Sequence, residues 1–285
     1  MNTSNPKKKN KSGTKTRILT AALIGAVVLS CIFGGNTSTI GLFIAISILG
    51  AFEIGNMTSE GNLKEVKLNF STYFHVLLAV IPMILFHMFD FSEIVYVGII
   101  LISCIVMLIL IFNLWQSSKL PYQRYKFSFT ILYWGLPFGL AVTYLSQLSS
   151  EAYLAVLGII ILLWTSDSMA YFTGRKFGKN KLFPSVSPGK TKEGSIGAGV
   201  FSILASVVYA YTINDGLVKW IVIALIVWIF GTLGDLVESK FKRVQDVKDS
   251  GNILPGHGGF LDRFDSLVMV IPFLLLMEYV SRNYN

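Results

Sequence analysis

The fold the sequence predicts is an all-α integral membrane protein with about nine transmembrane helices, on three observations. Of its 285 residues, 53% are hydrophobic and only 14% charged, with a mean hydropathy of +0.62. That is too apolar for an ordinary soluble domain. Several stretches approach or reach the ~20 apolar residues that cross a bilayer. The Lys and Arg residues cluster between those stretches rather than inside them.

Spans are expected at roughly 17–35, 38–56, 72–89, 93–114, 127–146, 152–172, 195–213, 217–236 and 264–281, the seventh and ninth near the lower length limit. Residues 1–16 are rich in Lys, Ser, Thr and Asn without an apolar period, which predicts a disordered basic cytoplasmic tail. The first span has this basic flank but no convincing small-residue cleavage site, so it reads as a retained anchor. Residues 17–146 then form an N-terminal five-helix membrane region, and 147–285 a C-terminal four-helix region that carries the chemistry. With alternating spans, all but Lys219 and Arg282 of the 24 Lys and Arg fall on one side, so the topology is expected to be N-in, C-out. The net charge of +8 is therefore a one-sided cytoplasmic basic surface. Such a surface attracts anionic membrane lipids and nucleotides, although topology alone would also produce it. No nucleic-acid partner is expected. Small residues in several spans would permit helix association and a homodimer.

The first five spans say little about chemistry. Cys31 and Cys104 fall within spans, with no ligand spacing. His75 and His87 lie twelve residues apart in the third span and suit packing or interfacial roles. Glu53, at the cytoplasmic end of the second span, is expected to snorkel to the interface, with a minor part in the site as the alternative.

From Trp164 onward the sequence becomes informative. Asp167 sits inside the last apolar turn of span six, where an ionised carboxylate is costly unless paired or facing water. Ser166, Ser168 and Tyr171 place hydroxyls around it, Tyr171 on the same helical face. The next loop, SVSPGKTKEGS, ends like a P-loop at Gly189, Lys190 and Thr191. Pro184 stands where that motif needs its first Gly, so the motif is absent. Lys190, Thr191 and Lys192 at a helix entry still suit a triphosphate, and a basic topogenic loop has the same composition. Asp235, Glu238 and Ser239 share one face at the end of span eight, and Asp262 and Asp265 share one at the start of span nine. Carboxylates on two helix ends suit a hard cation that nucleotide phosphates help to ligate; interfacial salt bridges with Lys240, Lys242, Arg243 and Arg263 are the alternative.

The run from Ser239 to Asp265 resembles the phosphatidate cytidylyltransferases, the CDP-diacylglycerol synthases. Their pattern Ser-x-x-Lys-Arg, Lys-Asp, Pro-Gly-His-Gly-Gly, Asp-Arg-x-Asp is met by Ser239, Lys242, Arg243, Lys248, Asp249, Pro255, Gly256, His257, Gly258, Gly259, Asp262, Arg263 and Asp265. WTSDSMAY and SPGKTKEG also resemble family blocks, with Ser168 in place of the usual Thr and Lys192 in place of a common Trp. The resemblance implies transfer of the cytidylyl group of CTP to phosphatidate in a bacterial inner membrane, with catalytic loops in the cytoplasm. It implies a Mg²⁺ centre at Asp235 and Asp262, extended to Asp265, with a monovalent cation such as K⁺ as an optional second ion. Lys248 and Arg263 join the catalytic set. Ser166, Asp167, Lys190, Thr191, Lys192, Ser239, Lys242, Arg243, Asp249, Gly256, His257, Gly258 and Gly259 are expected to bind substrate. Rival readings are another CTP-dependent membrane lipid enzyme, such as a CDP-archaeol synthase or polyprenol kinase, and, from a different class, an ion or anion transporter.

Overall fold

The computed structural model describes residues 11–58, 69–89, 91–116, 126–147, 152–251, 253–254 and 258–284. They form helices α1 (Lys11–Phe33), α2 (Asn36–Thr58), α3 (Phe70–Met88), α4 (Glu93–Phe112), α5 (Lys126–Gln147), α6 (Ala152–Phe177), α7 (Lys192–Ile213), α8 (Leu217–Val244) and α9 (Leu261–Tyr284). A hairpin of β1 (Lys181–Phe183) and β2 (Ser187–Thr191) joins α6 to α7. Among the described residues, nine helices are long and apolar enough to cross a membrane.

The expected spans are all present, but several helices outrun them. α1 begins at Lys11, so 11–16 of the stretch expected as a disordered tail are helical, and 1–10 lie outside the described residues. α6 continues to Phe177 and α8 to Val244, reaching 26 and 28 residues. α7 begins at Lys192 and α9 at Leu261, so the two spans expected to be short have 22 and 24 residues. Hydropathy stops where the side chains turn polar, whereas the helical backbone continues wherever its polar face is satisfied. The basic last turns of α6 (Arg175, Lys176) and α8 (Lys242, Arg243) also complement the partial negative charge at a helix C-terminus.

The stretch expected as an open basic loop is the β1–β2 hairpin, paired Lys181 with Thr191 and Phe183 with Ser187. Glu193 fastens it to α7, accepting hydrogen bonds from the Lys179 amide at 3.1 Å and the Asn180 side chain at 2.7 Å. Thr191 caps α7, its hydroxyl accepting from the Gly194 amide at 3.1 Å.

The helices α5 and α9 are the most enclosed and α1 the least. A π-helical turn, Phe129–Gly135, places Phe129 on the Phe241 ring of α8 at 4.2 Å and lets Trp134 Nε1 donate to the Ser47 carbonyl of α2. His75 is fully buried between the hydroxyls of Thr130 (2.5 Å) and Thr58 (3.0 Å), the packing role expected of it. Around the outside, Ile94, Ile102, Ile105 and Ile109 of α4 are exposed, as they must be where hydrocarbon is the solvent.

Candidate functional site

The C-terminal ends of α6 and α8, the hairpin and the N-terminal ends of α7 and α9 enclose a cavity of about 660 Å³. That lies within the range of small-molecule sites, roughly 300–1,000 Å³. Most pockets of this size are largely apolar, whereas this one is lined by Asp167, Asp235, Glu238, Asp249, Asp262 and Asp265 together with Arg175, Lys190, Lys242 and Arg263.

The charges are arranged in two groups. In the first, Lys190 reaches down from β2 to Asp235 of α8 at 2.6 Å, and both side chains remain partly open, 25% and 35% exposed. Ser239 stands one turn further along α8 and donates to the other Asp235 oxygen at 3.2 Å. In the second, Lys242 lies between Glu238 at 2.6 Å and Asp262 at 2.5 Å, the three being 11%, 1% and 9% exposed. The second Asp262 oxygen accepts from the amides of Gly259 (2.9 Å) and Ser250 (3.3 Å), so this carboxylate is engaged on every side.

The turn into α9 depends on glycine. Gly258 has φ +83°, and a Cβ on Gly259 would sit 1.7 Å from Ser250 Oγ and 2.6 Å from Glu53 Oε2. The expectation that Glu53 snorkels to the interface is overturned here. It is 1% exposed, and its carboxylate accepts from Ser250 Oγ (2.8 Å) and from the amides of Phe260 (2.7 Å) and Leu261 (2.8 Å). The unpaired donors at the start of α9 take up this carboxylate more favourably than water would.

Of the residues singled out from the sequence, the cavity wall gathers Ser166, Asp167, Lys190, Thr191, Lys242, Asp249, Asp235, Asp262, Arg263 and Asp265. Ser239 supports Asp235 from behind, and Gly258 and Gly259 shape the turn. Lys192, Lys248 and Arg243 are exposed and outside the lining, Arg243 donating to the Val247 carbonyl at 3.1 Å. Gly256 and His257, with Pro255, lie outside the described residues. Thr232, Ser266 and Arg175 enter the wall unannounced, because each is an ordinary helix residue until its neighbour is known.

Oxygen ligands for a hard cation are present. One carboxylate oxygen from each of Asp235, Glu238 and Asp265 lies within 4.8 Å of the others. An all-carboxylate set of this size fits a small divalent ion that completes its shell with water and phosphate oxygens.

The cytidylyltransferase family model matches residues 15–280, nearly the whole chain. The chain belongs to the cytidylyltransferase family. It is similar to the phosphatidate cytidylyltransferase of Bacillus subtilis, 33% identical over 267 residues, 92% of this chain and 97% of that one. It is also 44% identical over 141 residues to proteins of that name from Staphylococcus saprophyticus and Staphylococcus haemolyticus. These matches cover 49% of this chain and span 54%, about half, of the staphylococcal relatives' length. The cations and carboxylates it brings together share one cavity, at the joint ends of four helices.

Proposed function

We propose that this cavity transfers the cytidylyl group of CTP to phosphatidate, giving CDP-diacylglycerol and pyrophosphate for phospholipid synthesis. The observation that carries the reading is the convergence of Lys190, Lys242 and Arg263 with the Asp235, Glu238 and Asp265 carboxylates in one cavity of a cytidylyltransferase. A phosphatidate headgroup is anionic at neutral pH, so its oxygen forms the new bond to the α-phosphorus of CTP without a general base. The α–β phosphoanhydride bond breaks, and pyrophosphate carries off the electron pair. The difficulty is the approach of two anions, so catalysis is positioning and charge neutralisation.

Lys190 and Arg263 are the cationic side chains we assign to phosphate oxygens. Lys190 is held by a half-open ion pair and can exchange its carboxylate for a phosphate at little cost. Asp235 and Asp265, both expected from the sequence, are assigned to Mg²⁺ together with Glu238, which takes the place expected of Asp262. The ion, when bound, supplies the positive charge that a triphosphate facing a phosphate monoester needs. Asp262 remains in the catalytic set, with its own oxygens held by Lys242 and the Gly259 and Ser250 amides. Ser166 and Asp167 on α6 line the same cavity, and we assign them to the nucleotide.

The cavity is assigned to the cytoplasmic face of a bacterial cell membrane, with the chain N-in and C-out, because the basic clusters gather at its end of the bundle. Cysteines placed at Asn180 and Gln245 should then be shielded from an impermeant thiol reagent in intact cells, and one at Asn283 should react. Labelling at Asn180 from outside would overturn the orientation. For the reaction, purified protein with CTP, phosphatidate and Mg²⁺ should yield CDP-diacylglycerol and pyrophosphate in equal amounts. CTP alone should leave no label on the protein. A trapped cytidylyl-enzyme would replace direct transfer by a two-step mechanism, and the absence of CDP-diacylglycerol would sink the assignment.

A further inference from the structure

We propose that Glu53 of α2 is a positioning residue for the transfer reaction, locking the turn that carries Gly259 and the first residues of α9 in the geometry that aims Asp262 and Asp265 into the cavity. This rests on the cytidylyl-transfer reading of that cavity. Glu53 lies outside the cavity lining and far from it in sequence, yet it is buried to 1% exposure and accepts three hydrogen bonds, all from the segment Ser250–Leu261. Two of those donors, the Phe260 and Leu261 amides, belong to the start of α9, where a helix leaves backbone N–H groups without intrahelical partners. A carboxylate supplied from another helix fixes both the position and the tilt of that end.

The same segment is gripped from its other side by Asp262. The Gly259 and Ser250 amides donate to Asp262 Oδ2, and Ser250 Oγ and the Phe260 and Leu261 amides donate to Glu53. One turn is thus shared by two carboxylates, one facing the cavity and one facing α2. The fit is close: a Cβ on Gly251 would lie 2.6 Å from Glu53 Oε1, and one on Gly259 would lie 2.6 Å from Oε2. Ser250 and the Gly259–Leu261 stretch are held by both carboxylates, so displacing the Glu53 carboxylate displaces Asp262. This gives the N-terminal helices a part in the chemistry although α2 contributes no side chain to the cavity wall.

The test compares Glu53→Gln, Glu53→Asp and, as a packing control on the same helix, Ile54→Ala in detergent-purified full-length protein. Gln keeps the volume but places an N–H₂ against groups that are themselves donors. Two readouts are taken: kcat and the CTP KM, and the rate of cleavage after Lys248 by a lysine-specific protease, which needs no turnover. Glu53→Gln should lower kcat about 10- to 100-fold, with the CTP KM within about threefold of wild type, as loss of an outer partner of a site does. It should speed cleavage after Lys248, while Ile54→Ala lowers thermal stability without either change, and Glu53→Asp should recover part of both. Unchanged cleavage in Glu53→Gln would overturn the proposal whatever turnover does. So would a kcat loss shared equally by Ile54→Ala. Because the cleavage arm is independent of the reaction, a wild-type protein that makes no CDP-diacylglycerol would refute the functional reading separately.

Discussion

Two groups of charges face the same cavity, and they differ in how much water each retains. Lys190 and Asp235 pair across the gap between hairpin and α8 with 25% and 35% of their side chains exposed. Lys242, Glu238 and Asp262 are enclosed at 11%, 1% and 9%. In an open pair the Coulomb gain and the hydration lost nearly cancel, so its members can trade partners with an incoming ion or phosphate. In a closed group each charge depends on the others, because its members keep too little exposure for water to replace a missing one. The open pair is therefore suited to substrate exchange, and in the closed group the Lys242–Asp262 pair is suited to holding α8 and α9 in register beside the Glu238 carboxylate assigned to the ion.

The largest effect should come from breaking the closed group. Lys242→Met leaves Glu238 and Asp262 buried without their cation and should cost on the order of 3–5 kcal/mol of stability. Thermal unfolding in detergent checks this, and a melting temperature unchanged from wild type would mean that the group is not closed. Asp235→Asn should act in the opposite sense on the two observables. Turnover should fall about 10²- to 10³-fold, as for other preorganised electrostatic groups, while the fold stays intact, since the pair it breaks is open. Gly259→Ala is intermediate. Its Cβ has no room between Ser250 and Glu53, and overpacking of that kind costs roughly 1–3 kcal/mol. It should slow turnover in proportion to the displacement of the turn, and unaltered kinetics would show that the turn tolerates movement. Asp246→Asn should do least. Asp246 is exposed with φ +53°, a conformation Asn adopts readily, so stability and turnover should stay within about 0.5 kcal/mol of wild type.

How far the sequence disclosed this arrangement depends on the distance over which each feature is encoded. Nine apolar runs are local, and they placed most span ends within a few residues, the far end of α8 being the largest miss. The i, i+3 spacings of Asp235 with Glu238 and Asp262 with Asp265 put carboxylates on facing helix ends, which the cavity bears out. Asp262's partner was harder to name, because Lys242 also has Glu238 one turn away on its own helix and only the packing of α8 on α9 brings Asp262 to it. For Glu53 the sequence offered a minor part in the site only as an alternative, and its partners were illegible for a plainer reason. Its three partners lie 197 to 208 residues downstream, and a single carboxylate at a span end reads as interfacial until the turn that covers it is in place. The extensions of α6 and α8 escaped for a third reason: hydropathy reports the bilayer, not the helix.

The open and closed groups make the central claim measurable in one experiment, the dependence of CDP-diacylglycerol formation on Mg²⁺ concentration in wild type, Asp235→Asn and Asp262→Asn. With Asp235 among the oxygens assigned to the ion and Asp262 committed to Lys242 and two amides, Asp235→Asn should raise the Mg²⁺ concentration for half-maximal rate. Asp262→Asn should lower the maximal rate and leave that concentration near the wild-type value. A raised Mg²⁺ requirement in Asp262→Asn with an unchanged one in Asp235→Asn would contradict the division of roles and place the ion on the other carboxylate.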